Sequence, residues 1–566
     1  MNKIINMIKT ITVIAVMVAG CTSKGNVISD QELEIDQKVT ELLAQMTLEE
    51  KVGQMTQVTL DVVAKDNSQE IDPEKLKKAV VDYKVGSILN TAKDRAMTLE
   101  QWHETIGAIQ KMATEQTKLK IPVIFGVDAI HGVNYTLGAT SFPHQIGLAA
   151  TWNNSIVEKG AEITAYETKA SWIPWNFSPV LGLGRDARWP RIYETFGEDV
   201  YLSSQLGEAM VKGFQGEDIG NPESVAACAK HFLGYSVPLS GKDRTPAWIP
   251  ERQIREYFVP AFKKAIDAGA ATVMINSGEI NGIPVHANYD LLTTLLKEEL
   301  GFEGFAVTDW QDIMYLHDRH KIAASQKEAV KLAINAGVDM SMVPYDFQFA
   351  DLLVELVNEG EVSMERIDDA VRRILKVKYQ LGLFEKPFPD QEYPKFGGQE
   401  FTEVAYQAAL ESITLLKNED AVLPLPANKK ILVTGPNANS MATLNGGWSY
   451  SWQGNITPEF TDDKSTILEA IQQVAGAENV ISEPGVEYVS SGSYETDQLM
   501  DLDAVTAKAK NVDYVVLVLG ENTYTEKPGD LEDLYISENQ TKLALAVASA
   551  GKPVILVLNE GRPRVI

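Results

Sequence analysis

Residues 301–310 read GFEGFAVTDW, so an apolar run ends in Asp309 with Trp310 beside it. A carboxylate at the mouth of a buried strand can act on a bound substrate, and it can equally cap the helix that follows. The run GVDAIHG, 126–132, places Asp128 in the same way, either to accept hydroxyls or to close a turn. Lys230 and His231 follow the apolar stretch 226–229. Long polar side chains there read as a Schiff-base lysine activated by desolvation, as a charged pair that grips vicinal hydroxyls, or as part of a buried salt bridge. Residues 185–194, RDARWPRIYE, gather three arginines and two acids, a set that on its own fits an ion-pair network. Further on, 446–454 read GGWSYSWQG, two Trp and one Tyr between glycines, a pattern suited to stacking on sugar rings. The loop 520–530, GENTYTEKPGD, follows an apolar run and is acidic; most glutamates in such loops are solvated.

Other motifs are missing. No GxGxxG opens a helix, and the span from Gly234 to Lys242 is too wide for a phosphate loop and lacks the Ser or Thr after the lysine. His317 and His320 lack the Glu of a zinc-binding helix. Neither a cofactor nor a metal is expected.

These residues need elements to carry them. Apolar runs recur at 55–60, 85–90, 121–128, 177–183, 225–232, 271–277, 305–309 and 338–342, and helical periodicity fills the intervals. Strands alternating with helices make a parallel sheet, and eight such units predict a TIM-like barrel over 36–385, whose chemistry sits at the carboxyl ends of its strands. Asp128, Lys230, His231, Ser277 and Asp309 all fall near such ends. A Pro- and Gly-containing stretch, 386–401, reads as a linker. Strand candidates at 431–435, 480–482, 514–520 and 554–559 then predict an α/β sandwich over 402–566, expected to be incomplete because the last strand ends near Glu560 and the sequence at Ile566.

Composition narrows the partners. The formal charge of −27 repels phosphate backbones and anionic headgroups, so nucleic acid is excluded. Two cysteines cannot build a disulfide framework; Cys228 lies in an apolar run and reads as a small buried hydrophobe. Cys21 differs. It ends a leader with Lys3 and Lys9, an apolar core over 11–18 and the small pair Ala19-Gly20, which reads as a secretory signal. Val18-Ala19-Gly20-Cys21 resembles the bacterial lipoprotein processing box, implying removal of 1–20, lipidation of Cys21 and a tether over 21–35. The expectation is an exported periplasmic or cell-surface lipoprotein that meets the membrane only through its acyl chains, each buried CH₂ contributing about 0.8 kcal/mol.

Taken in order, 126–132, 188–194, 230–232, 307–310, 446–454 and 520–530 resemble family 3 glycoside hydrolases, in particular the β-glucosidase and exo-β-glucanase branch. The resemblance implies a barrel followed by an α/β sandwich with the site in the groove between them. It implies that Asp309 is the nucleophile and Glu526 the general acid/base, that Asp128, Arg191, Lys230 and His231 hold the terminal sugar's hydroxyls, and that Trp310 and Trp452 sandwich the next sugar. The implied reaction is retaining, exo-acting removal of terminal β-D-glucose from β-linked oligosaccharides. A β-xylosidase-type activity and a noncatalytic glycan-capture lipoprotein are the alternatives. Where many members carry an aromatic after the strand at 271–275, this chain has Asn276-Ser277-Gly278-Glu279, so the pocket floor differs; Leu233 to Ser236 lack the acid pattern of the amino-sugar branch.

Overall fold

The computed structural model describes residues 30–566. Cys21, the leader 1–20 and the start of the tether lie outside the described residues. Contacts divide the chain into a short unit ending at Gln45 and a large unit from Met46 to Ile566. In the first, the helix Asp30–Leu43 begins within the expected tether, with Asp30 and Glu32 in its first turn where acids favour a helix N-terminus. That helix ends at Leu43, and Thr47, which forms a capping box with Glu50, starts a second helix, Leu48–Gln54, in the large unit.

The large unit opens with eight parallel strands: β1 (Thr56–Thr59), β2 (Ser87–Leu89), β3 (Ile124–Val127), β4 (Trp175–Asn176), β5 (Ala226–Phe232), β6 (Thr272–Ile275), β7 (Phe305–Val307) and β8 (Ser341–Met342). Their order is β8-β1-β2-β3-β4-β5-β6-β7, and a parallel bridge between Val307 and Met340 brings the two ends together. β1, β2, β3 and β5 are buried along their whole length, as expected when helices cover the outside and side chains fill the interior.

The fourth strand departs from expectation. Regular register covers only Trp175 and Asn176, just ahead of the expected 177–183, and beyond it the backbone stays bonded irregularly to its neighbours, Phe177 N–H to the Val127 carbonyl at 2.9 Å, Cys228 N–H to the Ser178 carbonyl at 3.0 Å and Leu181 N–H to the Lys230 carbonyl at 2.6 Å.

The helix Gln399–Ser412 spans the expected start of the second domain at 402. It packs on the barrel helices Gln145–Ala150 and Asn154–Ala170, with Asn153 donating to Glu411 at 2.9 Å. The second sheet comprises β9 (Ile431–Thr434), β10 (Val480–Ser482), β11 (Tyr514–Gly520) and β12 (Val554–Asn559), all parallel, in the order β10-β9-β11-β12. Alternation along β11 sends Val515, Leu517 and Leu519 to one face and Val516 and Val518 to the other. Leu543 and Val547 of the helix Glu538–Ala548 cover the first face, and Leu468 of the helix Ile467–Ala475 covers the second. The architecture is therefore a TIM-like barrel followed by an α/β sandwich.

Candidate active site

The carboxyl ends of the barrel strands gather the polar residues singled out in the sequence. Asp128, one residue past β3, accepts from Lys230 Nζ at 2.7 Å and from Asn90 Nδ2 at 3.0 Å. The Lys230 and Asp128 side chains are only 2% and 9% exposed, so this is a buried ion pair, with the Trp448 ring 5.5 Å from the ammonium. His231 points Nε2 toward Asp309 Oδ2 at 3.7 Å. Burial, reinforced by the nearby Arg191 charge, pulls its pKa well below the ordinary histidine value, so the ring is neutral.

Asp309 stands two residues beyond β7. Its Oδ1 accepts the Trp310 N–H at 2.6 Å and its Oδ2 accepts the Ser277 hydroxyl at 2.9 Å. Burial would raise this carboxyl, but the cations around it, Arg244 above all, outweigh burial and hold it well below the usual carboxylate range. Glu526 comes from the second domain, where the loop after β11 turns back over the barrel mouth. Its backbone has a φ of +55°, a left-handed conformation that costs a non-glycine residue about 1–3 kcal/mol and persists only where surrounding contacts impose it.

Those contacts are dense. Gln453 donates to the Thr525 carbonyl at 3.0 Å and accepts the Thr525 N–H at 3.1 Å, while the Tyr193 hydroxyl of the barrel donates to the Tyr524 carbonyl at 2.9 Å. Burial pushes the Glu526 carboxyl up to about 7 even though Arg191 and Arg244 pull it down.

Arg191 is buried, doubly hydrogen-bonded to Glu194 at 2.9 and 2.8 Å, and its Nη1 lies 3.2 Å from Glu526 Oε1. Arg188 instead pairs with Asp186 and is 43% exposed, so Arg191 is the arginine turned into the site. Trp310 and Trp452 are both partly exposed. Trp310 meets Tyr345 edge-on at 5.5 Å, and the backbone N–H of Trp452 donates to Asp94 Oδ1 at 2.6 Å. The reading of 446–454 as a three-ring platform is corrected. Trp448 is 6% exposed, beneath Lys230, and Tyr450 stacks on Phe460, leaving Trp452 as the available ring.

Residue-type reasoning missed Arg244. It lies in the polar loop after β5, and its Nη2 sits 3.4 Å from Asp309 Oδ1 and 3.3 Å from Glu526 Oε2. The two carboxylate oxygens are therefore no farther apart than the sum of those reaches. The only sequence signal was its place in the long loop following Lys230 and His231. Asn90, which fixes Asp128, was missed likewise, whereas Glu194, which fixes Arg191, belongs to the ion-pair network read over 185–194. An ionised carboxylate beside a carboxyl that keeps its proton up to near neutral pH, flanked by a buried cluster of donors and acceptors, can attack and protonate the two sides of an acetal.

Comparison with known proteins agrees with this architecture. The family model described as Glycosyl hydrolase family 3 N terminal domain matches residues 47–377, and that described as Glycosyl hydrolase family 3 C-terminal domain matches residues 413–566. The chain belongs to glycoside hydrolase family 3. It is 43% identical over 551 residues to a lysosomal beta glucosidase of Dictyostelium discoideum, covering 94% of this chain and 67% of that protein. Among solved structures, a beta-glucosidase from Listeria innocua in complex with glucose superposes with a TM-score of 0.81 at 32% identity, covering 94% of this chain and 70% of that one. An exo-1,3/1,4-beta-glucanase from a Pseudoalteromonas species gives the same TM-score of 0.81 at 32% identity, covering 96% of this chain and 66% of that one.

The buried Asp128–Lys230 pair yields a stability prediction. Asp128→Ala leaves the ammonium buried without its counter-charge, and stability is expected to fall by about 3–5 kcal/mol. Urea denaturation measures it; an unchanged midpoint and slope would show that the pair contributes nothing.

Proposed function

We propose that this protein is a retaining, exo-acting β-glucosidase that removes terminal glucose from β-linked glucan oligosaccharides, with Asp309 as nucleophile and Glu526 as general acid/base. The observation that carries the reading is the meeting of these two carboxyl groups at one guanidinium, with opposite proton affinities. A retaining mechanism needs its carboxyl groups about 5–5.5 Å apart, which the shared contact to Arg244 permits.

In the first step an Asp309 oxygen bonds to the anomeric carbon as the glycosidic bond breaks, and the Glu526 proton passes to the departing oxygen. In the second, Glu526, now ionised, takes a proton from water; the water oxygen bonds to the anomeric carbon and Asp309 leaves as a carboxylate. Two inversions preserve the anomer. Asp128, Lys230, Arg191 and His231 supply acceptors and donors for the hydroxyls of the terminal sugar, and Trp310 and Trp452 provide apolar faces for the next ring.

The leader ending in Val18-Ala19-Gly20-Cys21 supports a second part of the proposal: export, cleavage before Cys21 and tethering by lipid at the periplasmic face or cell surface. In a bacterial host, Cys21→Ala is expected to move activity from the membrane fraction to the soluble fraction and to abolish incorporation of labelled fatty acid. Unchanged fractionation and labelling would overturn the anchor.

For the hydrolytic reading, Asp309→Asn is expected to lower turnover by several orders of magnitude while retaining sugar binding. Glu526→Ala should spare activated aryl glucosides most in the first step and form β-glucosyl azide when azide is supplied. Product analysis on cellobiose, laminaribiose, xylobiose and aryl glycosides should show β-glucose as the first product, and near-normal activity of Asp309→Asn would overturn the assignment.

The proton affinities set the pH dependence. Asp309 stays ionised across the working range, whereas Glu526 acts as an acid only while protonated. kcat/KM is therefore expected to fall as pH rises through about 7, with a single alkaline limb that Glu526→Ala removes.

A further inference from the structure

We infer that Arg244 is a further catalytic residue, a shared counter-ion that stays paired with the site's negative charge as that charge passes between Asp309 and Glu526. The inference rests on the hydrolytic reading above and adds to it a group that the sequence motifs did not mark.

The geometry is nearly symmetric. Nη2 carries two N–H bonds and stands 3.4 Å from Asp309 Oδ1 and 3.3 Å from Glu526 Oε2, so it has one donor for each carboxyl group. Nη1 donates to Ser277 Oγ at 2.7 Å and lies 3.7 Å from Asp312 Oδ1. Ser277, its lone pair occupied by this donor, has one hydroxyl proton to offer, shared between Asp309 Oδ2 and Asp312 Oδ2. A lysine ammonium is a compact point charge and does not match this fork; the planar guanidinium does, and it remains charged at every pH the enzyme meets.

The loop that carries Arg244 is latched to the loop that carries Glu526. The Asp243 N–H donates to Asp530 Oδ1 at 2.8 Å, Lys242 Nζ reaches Glu532 Oε1 at 2.5 Å, and Tyr235 holds Asp243 from below with a 2.6 Å hydrogen bond. The contacts to Asp530 and Glu532 bridge the two domains. Seating the acid/base loop and seating the guanidinium are thus one event.

Charge bookkeeping gives the arrangement its purpose. Before attack Asp309 is ionised and Glu526 protonated; in the glycosyl-enzyme Asp309 is an ester and Glu526 is ionised. One negative charge is present each time, at a different oxygen. A cation tied to only one carboxylate would favour one state and oppose departure from it, whereas Arg244 lies at nearly the same distance from both.

The other groups facing the pair do not replace it. Arg191 makes its direct contact with Glu526, acts on Asp309 less strongly than Arg244 does and is already engaged by Glu194, and His231 beside Asp309 is neutral. Asp243 and Asp312 are acids, the latter pushed up to about 7 by burial, and Tyr235 is held protonated by burial.

The test uses the full chain with Arg244→Gln, Arg244→Lys and Arg244→Ala, reading pH profiles and burst kinetics on an aryl glucoside. Loss of the cation raises both carboxyl groups. In Arg244→Gln the alkaline limb is expected to move up by about one pH unit or more, and an acid limb from Asp309 to rise into the measurable range. kcat/KM should fall by about 100-fold or more, with both displacement steps slowed. Arg244→Lys should restore the limb positions more fully than the rate, and millimolar guanidinium should rescue Arg244→Ala. Limbs that stay at wild-type positions, movement of one limb alone, or no rescue by guanidinium in a folded variant would overturn the shared counter-ion. Asp309→Asn measured alongside separates the cases, since its activity bears on the hydrolytic reading and not on Arg244.

Discussion

Two carboxyl groups buried side by side cannot both stay ionised unless positive charge is buried with them; otherwise one keeps its proton. Desolvation penalises each ion by several kcal/mol, and repulsion between like charges adds to it. In this protein the constraint is met by buried cations on the barrel side: Arg191, tied to Glu194, and Arg244, placed between Asp309 and Glu526. The result is unequal proton affinity at nearly one place. Asp309 has the Trp310 N–H and the Ser277 hydroxyl in addition to the guanidinium and stays ionised, while burial, with the nearby charges of Asp243 and Asp309, keeps the Glu526 proton on to about pH 7 against the pull of Arg191 and Arg244.

Because the balance draws on both domains, their junction is built as firmly as a core. Glu521, at the start of the acid/base loop, accepts from Tyr494, Tyr524, the Gly561 N–H, Arg562 and Arg564. Arg562 also reaches the Gly529 carbonyl at 2.6 Å and the Arg188 carbonyl of the barrel at 2.8 Å, so one side chain joins three segments. On the other flank Gly447 leaves no room for a side chain: an added Cβ would meet Thr525 Oγ1 at 2.0 Å and the Tyr524 carbonyl at 2.6 Å. The left-handed turn at Glu526 is held by this knot. Its directional contacts fix where the carboxyl points, which a nonspecific apolar contact would not do.

Much of the barrel was legible in the sequence. Apolar runs and helical intervals placed seven of its eight strands within a few residues of where they lie and put Asp128, Lys230, His231 and Asp309 at the mouth. These are local signals, since strand and helix periodicities are written in neighbouring residues. The failure was β4, whose regular pairing at Trp175 and Asn176 lies ahead of the apolar run at 177–183 because the chain beyond it pairs out of register. Trp448 was misread because an aromatic between glycines looks exposed, yet here it lies beneath the Lys230 ammonium.

The sequence by itself determined the alternation of strands and helices, the two-domain order and which polar residues stand at strand ends, because each follows from short-range pattern and hydrophobic periodicity. Motif resemblance added the pairing of Asp309 with Glu526. Only the tertiary structure decided that Arg244 meets both, across separations of 65 and 282 residues, that Arg191 rather than Arg188 turns inward, and that Ser277 reaches Asp309. Such contacts have no periodic signature. They exist because barrel closure and domain seating bring loops with unrelated local sequences into one desolvated space, where charge must be matched by charge.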